Sequence, residues 1–343
     1  MFPGMPVGAF LACTLLLFPL PRHWRTRNIP TLSMIAWLFI SNFTYGINVI
    51  IWSGRTHNVA PVWCDIVTKT HIGATAAGPA TCLSLVLQLW RVATSRPNNT
   101  KTFVLDLFLC WGYPGTTMAL HLIVQGHRFN IWENFGCYHT TYVSIPAILL
   151  LYGPITLIGV LNFIFGGLAF YNFWQHRHSF AEGLEREKSP FNMRRYVRAM
   201  IVTILIAIWD AAVIVVVDIM VSETKEGFRP YTSWADVHSD FWHVYQYPIT
   251  FMPPKQQVLF TVMWWTVPCS AYWFFCCFAL SDEGAAECVL WYRRILWLFG
   301  RRDSGVSDLV ELQPSSTPPQ PDISDIIDVK YLDVPPIMPY LIV

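Results

Sequence analysis

IPAILLLYGPITLIGVLNFIFGGLAFYNFW, from Ile145 to Trp174, runs for 30 residues without an Asp, Glu, Lys or Arg. As a helix it would rise about 45 Å, more than the ~30 Å hydrocarbon core of a bilayer. A basic segment follows it: Arg177, Arg186, Lys188, Arg194, Arg195 and Arg198. Working outward, comparable apolar runs place spans at about 3–21, 31–52, 64–91, 104–124, 145–174, 198–221 and 256–280. Arg22, Arg25 and Arg27 follow the first run, and Arg91, Arg96 and Lys101 follow the third. Loops of the other parity carry fewer cations: Arg55, then Arg128, then Lys225, Arg229 and Lys255. Lys and Arg are retained on the cytoplasmic side, so the odd loops are predicted inside, the N-terminus outside and the C-terminus cytoplasmic. Lipid offers no partner to open backbone polar groups, so each span is predicted helical. The expected fold is therefore all-α, a polytopic seven-transmembrane helix bundle over residues 1–280.

Composition agrees. The chain is 54% hydrophobic and 13% charged, about half the charged fraction of a soluble domain. The net charge of +1 carries little information beside the loop-to-loop asymmetry. Met1 to Pro21 lacks a basic segment ahead of its apolar run, so no cleaved signal peptide is expected. The chain ends Tyr340-Leu341-Ile342-Val343, without a prenylation Cys.

Beyond the bundle, Glu287 to Phe299 is amphipathic and basic, and residues 281–302 are expected to form a juxtamembrane helix flat on the inner interface. Residues 303–343 turn polar and proline-rich, and are expected to be a disordered tail. In the last outer loop, Ser233-Trp234-Ala235-Asp236 reads as an N-cap with an acid three residues on. Trp234, Val237, Phe241, Val244 and Tyr245 then recur at helical spacing, predicting a short amphipathic helix ended by Pro248.

Most of the nine Cys fall inside spans and read as small buried apolar residues. Cys64 and Cys137 both fall on the predicted outer face, where disulfides form, and a bridge between them is expected. Intramembrane polar groups are expensive and either pair or function. Asp65 lies four residues before Lys69, the favourable order for a pair on one helix face. Asn48, Lys69, His71 and Asp218 lie towards the predicted outer ends of their spans, and two roles fit them. They can line a polar pocket open to the outside, or they can join helices. Asp210 lies deeper.

Enzymatic and photoreceptive readings lack their residues. There is no His-Glu-x-x-His helix, His176 and His178 stand alone, and 256–280 has no Lys for a retinal Schiff base. No metal or cofactor is expected, and no nucleic acid as partner. Asn42-Phe43-Thr44 and Asn98-Asn99-Thr100 match the glycosylation pattern, but one lies in a span and the other in a predicted inner loop.

Several stretches, in their order and spacing, resemble one family. They are Pro19 to Asn28; Tyr45-Gly46-Ile47-Asn48 with Trp52; Val62-Trp63-Cys64-Asp65-Ile66 with Lys69; Gln125-Gly126-His127-Arg128-Phe129 with Phe135-Gly136-Cys137; Arg195-Tyr196-Val197-Arg198; and Ser233-Trp234 with His238 and Phe241. The family is that of the fungal mating-pheromone receptors for a-factor-type lipopeptides, especially those of basidiomycete mating-type loci. The resemblance covers about residues 15 to 295. It implies a plasma-membrane receptor for a short peptide ending in a prenylated, methylated cysteine, coupled to a heterotrimeric G protein and a mating MAP-kinase cascade.

On this reading Asn48, Trp52, Lys69, His71, Asp218, Trp234 and His238 are expected to contact the ligand. Arg22, Arg25, Arg27, Arg91, Arg177, Arg194, Arg195 and Arg198 are expected to face the G protein, although retention of positive charge explains the same residues. Each buried methylene of a prenyl chain contributes ~0.8 kcal/mol, and Trp52, Trp63, Trp132, Trp234 and Trp242 offer apolar surface. The competing reading is a seven-helix transporter or channel. The polar residues gather towards one end above an apolar half, which favours the receptor over a pore. The oligomeric state is left open.

Overall fold

A computed structural model describes residues 4–94, 96, 99–186 and 229–279, with individual positions between 201 and 212. Among the described residues, five helices are long and apolar enough to cross a membrane: Ile29–Ile51, Pro61–Ala93, Thr100–Val124, Ile145–Gln175 and Pro254–Cys277, with the shorter apolar helix Gly4–Leu17 beside them. The predicted sixth span falls almost wholly outside the described residues. So do the predicted interfacial helix at 281–302 and the tail at 303–343.

The first helix, α1 (Gly4–Leu17), is shorter than the predicted 3–21. Pro19 has no N–H to continue it, and the chain restarts as α2 (Leu20–Arg25) with Pro21 in its first turn. Arg27 then takes a left-handed conformation, φ 51°, and α3 (Ile29–Ile51) begins at once. Asn28 caps α3 by accepting from the Thr31 amide.

The helix α4 (Pro61–Ala93) is the axis of the bundle, packed by α3, by the helices after Thr100 and by the helix after Ile145. Its small residues permit close approach. A Cβ on Gly73 would stand 2.6 Å from Met118 Sδ and 3.1 Å from the Trp37 ring. Pro79 sits within α4, and Asn162 Nδ2 donates to its carbonyl at 3.0 Å.

Two spans absorb their prolines in π-turns. α5 (Thr100–Leu107) passes through Phe108–Gly112 into α6 (Tyr113–Leu120). α7 (Ile145–Ala147) passes through Ile148–Tyr152 into α8 (Gly153–Arg186). Pro114 and Pro154 lie just after these wide turns, which make room for the ring against the carbonyl four residues back. For Pro114 that carbonyl is Cys110 O, and the Trp37 indole donates to it at 3.0 Å.

One end of the bundle carries a feature that the helical pattern did not predict. β1 (Phe129–Trp132) pairs antiparallel with β2 (Gly136–Tyr138), in register Ile131 opposite Cys137. It also pairs parallel with β3 (Val244–Tyr247), Phe129 opposite Val244. The amphipathic helix expected from Ser233 to Pro248 is therefore corrected. Ser233 does cap a helix, accepting from the Asp236 amide, but α9 spans only Trp234–Val237. Val244 and Tyr245 are drawn into the sheet because β1 offers them a ladder of backbone partners. The last described helix, α10 (Pro254–Ala279), packs on α1 and α3.

Candidate functional site

The sheet is fastened over its end of the bundle at three points. Cys137 of β2 is disulfide-bonded to Cys64 in the first turn of α4, with Cα atoms 5.3 Å apart. The Asn134 side chain accepts from the Gly54 amide at 2.9 Å, and its own amide donates to Trp52 O. Gly136, at φ 90°, lies so close to α3 that a Cβ would stand 2.6 Å from Asn48 Cβ. Trp52, Phe129 and Ile131 bury the disulfide completely.

Beneath the sheet lies a polar cluster. Lys69 Nζ donates to Gln125 Oε1 at 2.6 Å and meets His121 Nδ1 at 3.0 Å. An ammonium can only donate, so His121 accepts at Nδ1 and carries its proton on Nε2, which meets Thr141 Oγ1 at 3.1 Å. His139 stands edge-on to His121, with centroids 6.0 Å apart. His71 contacts Thr44 Oγ1 and packs on the Tyr45 ring, which in turn lies 6.1 Å from Trp264. His71 Nδ1, His139 Nδ1 and Trp264 Nε1 are buried without a hydrogen-bond partner among the described residues. All three lie in or beside this cluster, where an unpaired buried polar atom costs free energy.

The expected Asp65–Lys69 pair does not form. Asp65 takes Arg128 instead, with Nε–Oδ1 at 2.9 Å and Nη2–Oδ2 at 2.6 Å. A planar guanidinium matches both carboxylate oxygens, which a point-charge ammonium cannot do. This pair raises the Arg128 pKa. It ties the loop after α6 to α4 and leaves Lys69 to face inward.

Sequence reasoning placed Lys69 and His71 here and missed Tyr45, His121, Gln125, His139 and Thr141. The i, i+4 spacing of His121 and Gln125 was the available signal. Asn48 and Trp52 serve another purpose. Asn48 Oδ1 accepts from the Trp63 indole at 2.8 Å, and the fully buried Trp52 donates to His57 O. Both hold the sheet in place and do not line an open pocket. Trp234 and His238 stack with centroids 3.9 Å apart, and His238 Nε2 reaches Leu122 O at 2.9 Å. The loop carrying Trp234 thus meets the end of the span that carries His121. Asp218 and Asp210 lie outside the described residues.

Of the arginines expected at the opposite end, Arg25 and Arg27 are exposed and Arg22 is half-buried. Arg177 lies in α8, while Arg194, Arg195 and Arg198 fall outside the described residues. Arg91 is placed differently. Its side chain is 7% exposed, and its guanidinium meets the Asp106 carboxylate of α5 at 3.2 Å. Ser84 Oγ at 2.7 Å and Gln88 Nε2 at 3.1 Å complete the carboxylate's partners. Arg91 is therefore an internal tie between two helices, because a buried cation is tolerated only beside its counter-charge. It is not available as a surface contact in this conformation.

Residues 4–300 match the pheromone A receptor family, STE3. The chain belongs to the STE3 family. STE3 receptors are seven-transmembrane proteins, and the chain is a multi-pass protein of the plasma membrane. A pheromone B beta 1 receptor of Schizophyllum commune is 39% identical over 302 residues, 86% of this chain and 55% of the relative. A pheromone receptor 1 of Ustilago hordei is 28% identical over 288 residues, 81% of this chain and 79% of the relative. The pheromone a factor receptor of Saccharomyces cerevisiae is 24% identical over 204 residues, 57% and 43% of the two chains. This STE3-family chain spans about half the length of several curated relatives it matches.

Buried histidines at both ends of the bundle make its stability depend on pH. Burial, then the charge of Lys69, lowers the His139 pKa from 6.5 to about 4, and burial with Arg22 nearby lowers that of His23 to about 4. The unfolded chain therefore binds more protons between pH 4 and 6.5, and stability rises with pH through that window. Thermal melting should weaken steadily from neutral pH down to about pH 4, and His139→Gln should flatten part of the slope. An identical slope in the variant would show that His139 is not buried neutral.

Proposed function

We propose that the chain is a G-protein-coupled receptor for a prenylated peptide mating pheromone, a receptor and not an enzyme, with its N-terminus outside and its C-terminus in the cytoplasm. The observation that carries the proposal is the cluster around Lys69, a cation held inside the bundle beneath a disulfide-fastened sheet. A peptide backbone brings carbonyl oxygens for Lys69 and for the Trp264 indole, and groups of either polarity for the two histidines. The exposed Trp234, Trp242 and Phe251 beside the sheet suit the apolar chain of such a ligand. The names of the relatives favour a receptor over the transporter or channel reading. A disulfide forms in an oxidising compartment, which supports placing the sheet end outside.

On this orientation the opposite end faces the G protein. Exposed Trp24 and Arg25, with Arg22, Arg177, Arg194, Arg195 and Arg198, are proposed as its basic contact surface. Signalling would then require that the pheromone bind one arrangement of the helix ends better than another.

Guanine-nucleotide exchange on a co-reconstituted G protein, with and without farnesylated peptide, tests the proposal. Lys69→Gln should lower peptide potency at least about tenfold, the worth of one lost hydrogen bond to a charge, with surface expression retained. Lost expression with unaltered potency in the surviving receptor would assign Lys69 to folding instead. Asp218→Asn is the companion variant.

A further inference from the structure

At the end opposite the sheet, a cavity of about 460 Å³ opens between α3 and α5, lined by Arg27, Ile29, Gln88, Thr100, Phe103 and Asp106 among others. Its volume falls in the range of small-ligand sites. Its lining is divided by polarity in a way that identifies what fits. One wall holds Arg27, which is exposed and makes no side-chain hydrogen bond among the described residues. Beside it the span Thr100–Val124 begins. Asn99 and Thr102 form a capping box that satisfies the Asn99 and Thr102 amides, so the Thr100 and Lys101 amides keep no helical acceptor. A helix start beside a guanidinium favours a phosphate oxygen. Asp106 does not oppose this, because Arg91 already neutralises it.

The other wall is apolar and leads away along the helix. Phe103, Leu107 and Trp111 recur every fourth residue and are 49%, 45% and 41% exposed, forming one stripe on the face of a membrane span. A phosphate-binding head that continues into an apolar stripe matches a phospholipid, whose headgroup lies at the span end and whose acyl chain runs along the span. We propose that this cavity is a binding site for an anionic phospholipid, with the phosphate held by Arg27 and the first turn of α5 and an acyl chain laid on Phe103, Leu107 and Trp111. The site is separate from the polar cluster beneath the sheet, and both walls argue for it whichever way the chain is oriented.

Native mass spectrometry of the full chain in detergent, titrated with phosphatidic acid or phosphatidylcholine, reads it directly. One phosphatidic acid should be retained in preference to phosphatidylcholine. Arg27→Gln should weaken that retention about tenfold, and Arg27→Lys should restore most of it. Arg55→Gln, at the sheet end, should bind like the unaltered chain. Equal retention of the two lipids, or equal loss in Arg55→Gln and Arg27→Gln, would overturn the site. If Arg27→Gln does not fold, Thr100→Pro, which removes an amide at a helix position that tolerates proline, and Leu107→Asp take its place, and normal phosphatidic acid retention in both would overturn it. Glycerol phosphate is the competing arm. If it displaces phosphatidic acid at equal concentration, the site reads phosphate alone and the lipid assignment is wrong.

Discussion

Replacing Asp106 with Ala will lower the stability of the bundle by about 3–5 kcal/mol, the usual cost of stranding one member of a buried ion pair. The effect is large because Asp106 collects Ser84, Gln88 and Arg91 on two oxygens. Its loss leaves the 7% exposed Arg91 charged and without a counter-ion. The Arg91 Nε already has no partner among the described residues, so the guanidinium has little else to lean on. A well-packed apolar pair of similar volume is often as stable as a buried ion pair, so Arg91→Met/Asp106→Leu should recover most of the loss. The melting temperature of the purified protein in one detergent, compared across Asp106→Ala, Arg91→Met and the double variant, decides it. If Asp106→Ala melts with the unaltered chain, Arg91 reaches water and the pair is a surface contact.

Removing the disulfide should have the second-largest effect. Cys64 and Cys137 are 73 residues apart in sequence. Closing a loop of that length restrains an unfolded chain by about 4 kcal/mol. Helices that persist in the membrane reduce the freedom lost, so about 2–4 kcal/mol is expected from Cys64→Ser/Cys137→Ser. The same substitution frees β2 from α4 while Asn134 still ties the hairpin to Gly54 and Trp52. The sheet should therefore loosen without the bundle coming apart, and peptide potency should fall with the melting temperature. Unchanged melting and unchanged potency would mean that the hairpin is held by its backbone contacts alone.

Arg91 illustrates what a sequence hides. Its position at the end of an apolar run, in a loop of basic parity, suggested a surface contact. Nothing in the linear order showed that Asp106, at the start of the next span, would come within 3.2 Å of it. Lys69 illustrates the same limit from the other side. Asp65 stands four residues away on its own helix, yet Arg128 from the next loop takes that carboxylate in two-pronged geometry. Lys69 then turns to His121 and Gln125. In both cases the charge found its partner through folding: Arg91 turned from the surface to a carboxylate on the next helix, and Asp65 left its neighbour Lys69 for Arg128.

The sequence by itself determined the class of this protein. Lipid imposes a period and a length on every span, and that imprint survives in composition alone, without any knowledge of neighbours. The placement of Cys64 and Cys137 at one end of the bundle was legible for the same reason, since both lie at span ends of the same parity. Tertiary structure alone decided the sheet, the sealing of Trp52 and Asn48 beneath it, and the membership of the polar cluster. Val244 to Tyr247 carry an apolar spacing that a helix could also use, and they become a strand only because β1 presents unpaired backbone groups beside them. Strand pairing and buried polar contacts are relations between distant residues, and their energies exist only once the chain has brought those residues together.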